Sequence, residues 1–328
     1  MTDFYGLPTR AISNRHIQAE YLAEAGLRLI RVMLKNSARP ENVLAETPHV
    51  SWPTPHGAYF LRGGHRLWHA PEAAPRSSIP EPPEIEVSDV PDGVCLTQPT
   101  EPTTGIRKRL EIHLAPDRPA MTLFHTLQND GLWPVELAPW AITQLALGGV
   151  AILPQPRESL DPHSLRPNRC LVLWPYTTFA DPRVELHDDH WLVHGQSQLP
   201  PCKIGYLNRH GWAGYLRNGT LLIKRFRPEA DKPHPDDGCN TEVYCNDLSL
   251  ELETLGALCS LAPGQSTTHV EQWEFLAADD TPATREGIER LVGRLPPEYL
   301  APPDDVEPVA ARASLEPTGQ NIESSEWG

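Results

Sequence analysis

Proline is the residue that most limits what this chain can fold into. The 328 residues include 36 prolines, which occur along most of the sequence. A proline inside a helix removes a backbone hydrogen bond and clashes with the preceding turn, so it disfavours long helices. Hydrophobic residues still make up 39% of the chain, which is enough to bury a core. The sequence therefore favours strands and loops around a hydrophobic core.

Short apolar runs separated by turn residues begin at residue 106. Asn218 and Gly219 lie between two such runs, which is typical of a tight hairpin. Many short strands at regular spacing predict an antiparallel sandwich or barrel. We expect strands at 106–114, 121–129, 134–147, 149–154, 169–174, 184–187, 190–193, 203–208, 212–216, 220–227, 242–246, 248–255 and 267–276.

Residues 11–36 fit two structures. Their apolar positions can form one face of a helix, or two alternating strands that turn near Gly26. Periodicity alone narrowly favours the helix, whereas the resemblance described below favours the hairpin.

Three further segments complete the expected domain organisation. The main β domain is expected to span 1–278. Within it, eight prolines between residues 71 and 104 predict a long irregular excursion with one short strand around 84–87. In segment 279–300, Thr281 and Pro282 are suited to begin a short C-terminal helix. Segment 301–328 is acidic and poor in large apolar side chains, so we expect a disordered tail.

Charge and motifs exclude several classes of function. The net charge of −15 argues against nucleic acid and against an anionic membrane surface as partners. No run of about twenty apolar residues is present, and the first ten residues lack a secretory signal pattern, so we expect a cytoplasmic protein. The six cysteines form no CxxC pair and are expected to be reduced. Nucleotide-binding, serine-hydrolase and zincin motifs are absent, and no cofactor is predicted.

His187, His190 and His194 have a spacing that could hold zinc on a helix. Asp188 and Asp189 between them are more typical of a hairpin turn. We therefore predict an exposed hairpin and no metal site.

Residues 250–255 alternate leucine with acidic or polar residues. On a strand, this places Glu251 and Glu253 on one face, about 7 Å apart. That face is either a solvated sheet surface or a cleft with a carboxylate base, with Glu242 on the preceding strand.

Residues 62–71 are the most unusual segment. Gly63 and Gly64 are followed by polar donors and an indole, a set that suits a polyhydroxylated ligand. The alternative is a packed loop that anchors the proline-rich excursion.

The segment 62–71 resembles the "RGG…P" loop of galactose-mutarotase-like proteins, which include hexose-phosphate epimerases. The segment 123–131 is similar to their central strand with its N-x-G turn. The remaining similar segments, some shared with a bacterial family of unknown function in this superfamily, are 173–177, 181–183, 243–246, 252–255, 261–266 and 269–273. The resemblance covers roughly residues 5–278.

The resemblance implies a mainly β fold, an antiparallel two-sheet supersandwich with a carbohydrate cleft on its concave side. It also implies an aldose 1-epimerase-type mechanism, in which a carboxylate takes the anomeric proton and a histidine protonates the ring oxygen. Glu253 matches the carboxylate base. Trp140 stands where the family has its acid histidine, so His125 and His65 are the candidate acids.

Three functions remain open from the sequence. The first is a sugar or sugar-phosphate isomerase that uses Glu253 with His125 or His65. The second is a sugar-binding protein without catalysis, and the third is a glycoside-cleaving enzyme with two carboxylates. The expected ligand-binding residues are Arg62, Arg66, Trp68, Trp140, Glu242 and Glu251, of which the arginines would suit a phosphate.

Overall fold

The computed structural model describes residues 2–35, 41–279 and 281–304, and these residues are largely strands. The tail predicted for 301–328 lies outside the described residues from 305 onward. The strands are β1 (Thr2–Phe4), β2 (Leu7–Ser13), β3 (Ile17–Leu22), β4 (Arg28–Leu34), β5 (Glu46–Thr54), β6 (Gly57–Gly63), β7 (His65–Ala70), β8 (Glu86–Val90), β9 (Gly93–Thr97), β10 (Ile106–Leu114), β11 (Ala120–Asn129), β12 (Val135–Leu145), β13 (Val150–Pro154), β14 (Val172–Leu173), β15 (Val184–Leu186), β16 (His190–His194), β17 (Cys202–Tyr206), β18 (Trp212–Arg217), β19 (Thr220–Phe226), β20 (Thr241–Cys245), β21 (Leu250–Leu255), β22 (Cys259–Leu261) and β23 (Ser266–Ala277).

Two large antiparallel sheets face each other. Sheet I has the order β1-β2-β3-β4-β7-β12-β21-β20-β17-β14, with β22 also paired to β12. Sheet II has the order β15-β16-β13-β18-β19-β23-β11-β10-β9-β8. Strands β5 and β6 form a separate two-stranded sheet, here called the covering hairpin. The predicted antiparallel two-sheet sandwich is confirmed.

The main core lies between the two sheets. Its buried side chains come from alternate positions of strands in both sheets, because the pleat sends successive residues to opposite faces. Leu29, Val243 and Leu252 reach it from sheet I, and Leu110 and Trp273 from sheet II. The opposite faces of the same strands point away from this core and carry other side chains.

Two of the hairpin predictions are confirmed here. Strands β3 and β4 pair antiparallel, and Gly26 between them has a φ of 96°. Asn218 and Gly219 connect β18 and β19 with φ values of 48° and 75°, which is the conformation of a two-residue hairpin turn.

Some boundaries differ from the sequence-based expectation. The proline-rich excursion contains a hairpin, β8 with β9, that extends sheet II, so it is less irregular than expected. The strand expected at 169–174 is reduced to β14. Residues 65–70, described above as a loop, form the strand β7.

The helices are short. A four-residue turn, α1 (Pro235–Gly238), precedes β20, and α2 (Arg285–Val292) follows the last strand. Helix α2 begins later than expected, because the hydroxyl of Thr284, and not Thr281, caps it by accepting from the backbone N–H of Gly287. Its apolar side, with Ile288, packs on the outer face of sheet II. Neither helix has the length or the apolar character to pass through a membrane.

Candidate functional site

A cleft of about 420 Å³ lies on the face of sheet I that points away from sheet II. This volume is within the usual range for small-molecule sites. Its floor consists of side chains from five adjacent strands, β7, β12, β21, β20 and β17. The floor residues are Arg66, Trp68, Trp140, Ile142, Gln144, Lys203, Tyr244, Glu251 and Glu253. The walls and rim are Val50, Trp52, Leu61, Glu72, Tyr176, Pro201, Asn246 and Leu248.

Strand alternation explains why these residues meet. In the strand β7, Arg66 and Trp68 face the cleft, whereas Leu67 packs against apolar residues between the sheets. In the strand β21, Glu251 and Glu253 face the cleft, while Leu252 belongs to the main core. The predicted common face of the two glutamates is therefore present, and it is a cleft floor.

Lys203 holds the acidic part of the floor together. Its Nζ atom lies 2.7 Å from Oε2 of Glu242 and 3.1 Å from Oε2 of Glu253. The same atom lies 4.8 Å from the ring centre of Trp140 and 4.6 Å from that of Trp174. Burial alone would lower the pKa of Lys203, but the two carboxylates outweigh it and raise this pKa well above its usual value. Lys203 is therefore a fixed positive charge at the base of the cleft.

Glu253 keeps one oxygen without a donor. The indole Nε1 of Trp140 donates to Oε2 of Glu253 over 2.7 Å, so Trp140 positions the carboxylate. Oε1 of Glu253 is buried and accepts no hydrogen bond. Burial raises the pKa of Glu242 well above the usual range, and Lys203 lowers it only in part. Buried acceptors without a donor are uncommon, and a bound ligand can satisfy them.

Arg66 is engaged on the other side of the floor. Its guanidinium donates to Oε1 of Gln144 at 3.0 Å and to Oε1 of Glu251 at 3.3 Å. It also lies over the ring of Trp68, 4.7 Å from the ring centre. Burial raises the pKa of Glu251, and Arg66 opposes that shift.

The two candidate acid histidines, His65 and His125, contact each other but do not line the cleft. His65 and His125 are completely buried between the sheets, where their Nε2 atoms lie 2.6 Å apart. His65 lies on β7, one position before Arg66, so the pleat turns it away from the cleft. Oγ1 of Thr143 bonds His65, and Nδ1 of His125 donates to the carbonyl oxygen of His269.

This interior group also contains the one set of side chains in the described residues with the spacing of metal ligands, His65, His125 and Glu271. Lys224 already supplies a positive charge there, because its Nζ atom lies 2.8 Å from Oε1 of Glu271. The indole of Trp273 donates to the other oxygen of Glu271 over 2.8 Å. These bonds satisfy the group without an ion, so it is a polar part of the core.

Arg62 lies outside the cleft, although it was predicted to bind ligand. Its guanidinium donates to Glu81 over 2.6 Å, and Arg28 bonds the other oxygen of that carboxylate. Glu81 belongs to the proline-rich excursion, so Arg62 anchors this segment to the sandwich. Of the two interpretations of segment 62–71, anchoring fits Arg62 and cleft lining fits Arg66 and Trp68.

Glu242 lies beneath the cleft and does not line it. It is fully buried and acts on the site through Lys203. The sequence analysis missed several polar floor and rim residues, among them Lys203, Glu72, Gln144, Tyr176 and Tyr244. Lys203 could have been found, since it is a charged residue between Cys202 and Ile204 on a strand whose neighbours are apolar.

The histidines 187, 190 and 194 belong to the predicted hairpin of β15 and β16. Glu185 accepts from both His187 and His194, at 2.9 and 2.8 Å. His190 instead lies against the ring of Trp212. The three histidines therefore do not converge on one point.

Neither a protein-family model nor the sequence of a curated protein matches this chain. Solved structures do. Two proteins described as "putative aldose 1-epimerase" share its fold. The one from Escherichia coli K12 has 14% sequence identity and a TM-score of 0.51, and the match covers 83% of this chain and 100% of that one. The one from Klebsiella pneumoniae has 10% sequence identity and a TM-score of 0.52, and the match covers 88% of this chain and 84% of that one. A "putative mutarotase" from Salmonella typhimurium has 10% identity, TM-score 0.51 and coverage of 83% and 91%. The chain therefore has the fold that its sequence resembles.

Proposed function

We propose that this protein binds a sugar in the cleft of sheet I. The observation that carries the proposal is the convergence of carboxylates, an arginine, a lysine and aromatic rings from five adjacent strands on one open hollow. Sites for sugars combine aromatic surface for the ring face with polar groups for the hydroxyls. The fold shared with proteins described as mutarotases and aldose 1-epimerases supports the same class of ligand.

In this proposal, Oε1 of Glu253, which has no donor in the protein, accepts a hydrogen bond from a hydroxyl group of the sugar. The carboxylate is held in place by Trp140 and Lys203, so it is oriented before the ligand arrives. Trp68 and Tyr244 supply apolar surface beside it. Preorganised acceptors lose little entropy on binding, which favours affinity.

Binding without mutarotation is the form of the proposal that the cleft supports best. An acid that protonates a ring oxygen must lie within hydrogen-bond reach of it. No histidine is among the residues that line the cleft in the described part of the chain. His65 and His125 are therefore not part of the proposed chemistry.

A second candidate is an isomerase or a glycoside-cleaving enzyme with two carboxyl groups. Glu72 is an exposed residue at the rim, where partial desolvation of its carboxyl group raises its pKa and Lys203 opposes that shift. A carboxyl group with a raised pKa is better suited to donate a proton, while Glu253 acts as a base. This pair would replace the carboxylate and histidine of the sequence-based hypothesis.

Saturation-transfer NMR against a panel of free sugars tests the proposal, and anomer exchange can be followed in the same samples. We expect signal transfer to at least one sugar with no acceleration of its anomer exchange. Glu253→Gln should weaken the transfer, whereas Glu286→Gln, on the exposed side of α2, should leave it unchanged. No transfer to any sugar contradicts the proposal. Accelerated exchange that Glu72→Gln abolishes supports the second candidate instead.

A further inference from the structure

We infer that the ligand of the cleft is an amino sugar, with a protonated amine, and not a sugar phosphate. This inference rests on the proposed function and narrows it to one class of carbohydrate. Three observations support it. Carboxyl groups outnumber cations around the cleft, the cations already form ion pairs with the protein, and some carboxylate oxygens have no hydrogen-bond donor.

Carboxyl groups outnumber cations around the cleft in the described residues. Glu72, Glu251 and Glu253 line it, whereas the cationic lining residues are Arg66 and Lys203. Directly below, Glu242 contacts Lys203, and Asp236 on α1 interacts with Glu242. The cleft therefore favours positive over negative charge in a ligand.

Both cations of the cleft already have their partners. Arg66 bonds Gln144 and Glu251, and Lys203 lies between Glu242 and Glu253. A phosphate would have to compete with these carboxylates for the same donors, in a cleft that repels it. Arg62, which could have supplied a further donor, is bound to Glu81 away from the cleft.

Acceptors remain open on the acidic side. Oε1 of Glu253, a fully buried residue of the cleft floor, has no donor. Glu72 at the rim forms no hydrogen bond or ion pair with the described residues. A carboxylate bonds an ammonium group more strongly than a neutral hydroxyl, because both partners carry charge. An amine on the sugar can donate to such an acceptor and offset its charge.

The aromatic lining favours the same ligand. The rings of Trp140 and Trp68 already face Lys203 and Arg66, at 4.8 and 4.7 Å from the ring centres. Tyr176 at the rim and Tyr244 on the floor add two further rings, 6.3 Å apart. Aromatic faces attract cations and also cover the apolar face of a sugar ring. These two tyrosine rings therefore suit a cationic sugar.

Isothermal titration calorimetry tests the inference with glucosamine and galactosamine. Each is compared with its parent sugar, its N-acetyl derivative and the corresponding sugar 6-phosphate, at a pH where the amine is protonated. We expect the amino sugar to bind about tenfold more tightly than the parent sugar, and the phosphate to bind most weakly. Glu253→Gln and Glu72→Gln should each reduce the preference for the amine, and Glu286→Gln should retain it.

The outcomes separate this inference from the proposed function. Equal binding of the amino sugar and its parent, or tighter binding of the phosphate, overturns the inference but leaves sugar binding in place. Failure of every sugar to bind overturns both. Glu72 lies at the exposed rim, so Glu72→Gln keeps the test available even if Glu253→Gln fails to fold.

Discussion

The Nζ atom of Lys203 lies 3.1 Å from Oε2 of Glu253, and both side chains are almost completely removed from solvent. A charge in such a place is tolerated only if opposite charges compensate its lost hydration. Glu242 completes the group on the far side of Lys203. The acidic half of the cleft therefore depends on one cation.

Lys203→Met should destabilise the protein strongly. The substitution leaves two buried carboxylates without their cation, which typically costs about 3 to 5 kcal/mol. The loss should be smaller at low pH, where the carboxylates can take up protons. Urea unfolding at two pH values measures both effects.

Lys232→Met is the matched control. Lys232 pairs with Glu229 on the surface, where its side chain is 57% exposed, so the loss should be below about 1 kcal/mol. Equal effects of the two substitutions would show that Lys203 does not stabilise the cleft.

The interior histidines should make stability depend on pH. Burial lowers the pKa of His269 to about 3 and also lowers the pKa values of His65 and His125. Below about pH 6.5 the unfolded chain binds protons at these positions and the folded chain does not, so the free energy of unfolding falls as the pH falls.

His269→Gln isolates this contribution from that of Glu242 and Glu251 at the cleft, whose raised pKa values act in the opposite direction. The unfolding free energy of the variant should fall less steeply between about pH 6.5 and pH 4, by up to about 1.4 kcal/mol per pH unit. Urea unfolding across this range gives the two slopes. Identical slopes would contradict the lowered pKa of His269.

Glu81→Gln should release the proline-rich excursion. Glu81 bonds Arg28, which is completely buried, and Arg62. Without the carboxylate charge, the Arg28 guanidinium is left buried and uncompensated, at a cost of about 3 kcal/mol. Limited proteolysis should cut the excursion faster than in the unaltered protein. Glu84→Gln, an exposed acid of the same segment, should leave the rate unchanged.

Gly63→Ala should disturb the junction of the covering hairpin with β7. Gly63 has a φ of 92°, and a Cβ atom there would lie 2.1 Å from the carbonyl oxygen of Ala45. Gly264→Ala meets similar backbone strain, with a φ of 83°, but nothing lies within 4 Å of its Cβ. We expect Gly63→Ala to lower the free energy of unfolding by about 1 to 3 kcal/mol more than Gly264→Ala. Equal losses would mean that the approach of Ala45 imposes no constraint.

Much of the fold could be predicted because period-two patterns and turn residues are local signals. The strand β10 has the predicted bounds, and the Asn218-Gly219 turn occurs where it was expected. The limits of β14 and α2 were misjudged, because a strand or helix end depends on its neighbours as well as on its own residues.

The candidate site could be predicted only in part. Glu251 and Glu253 were placed on one face because alternation within a strand is visible in the sequence. His65 and His125 were assigned to the cleft without any local signal for which face of the sheet they occupy. The face that a residue occupies depends on which strands pair with each other, and the sequence of one short segment does not determine this long-range pairing.

The alternation in β7 means that this strand belongs to two separate environments at once. Arg66 and Trp68 serve the open hollow, while His65 and Leu67 belong to the sealed interior. Removal of one residue ahead of the strand would exchange these roles along its whole length, burying a guanidinium and exposing an imidazole. Substitutions in this strand can therefore alter one face alone, whereas an insertion or a deletion would disrupt the cleft and the core together.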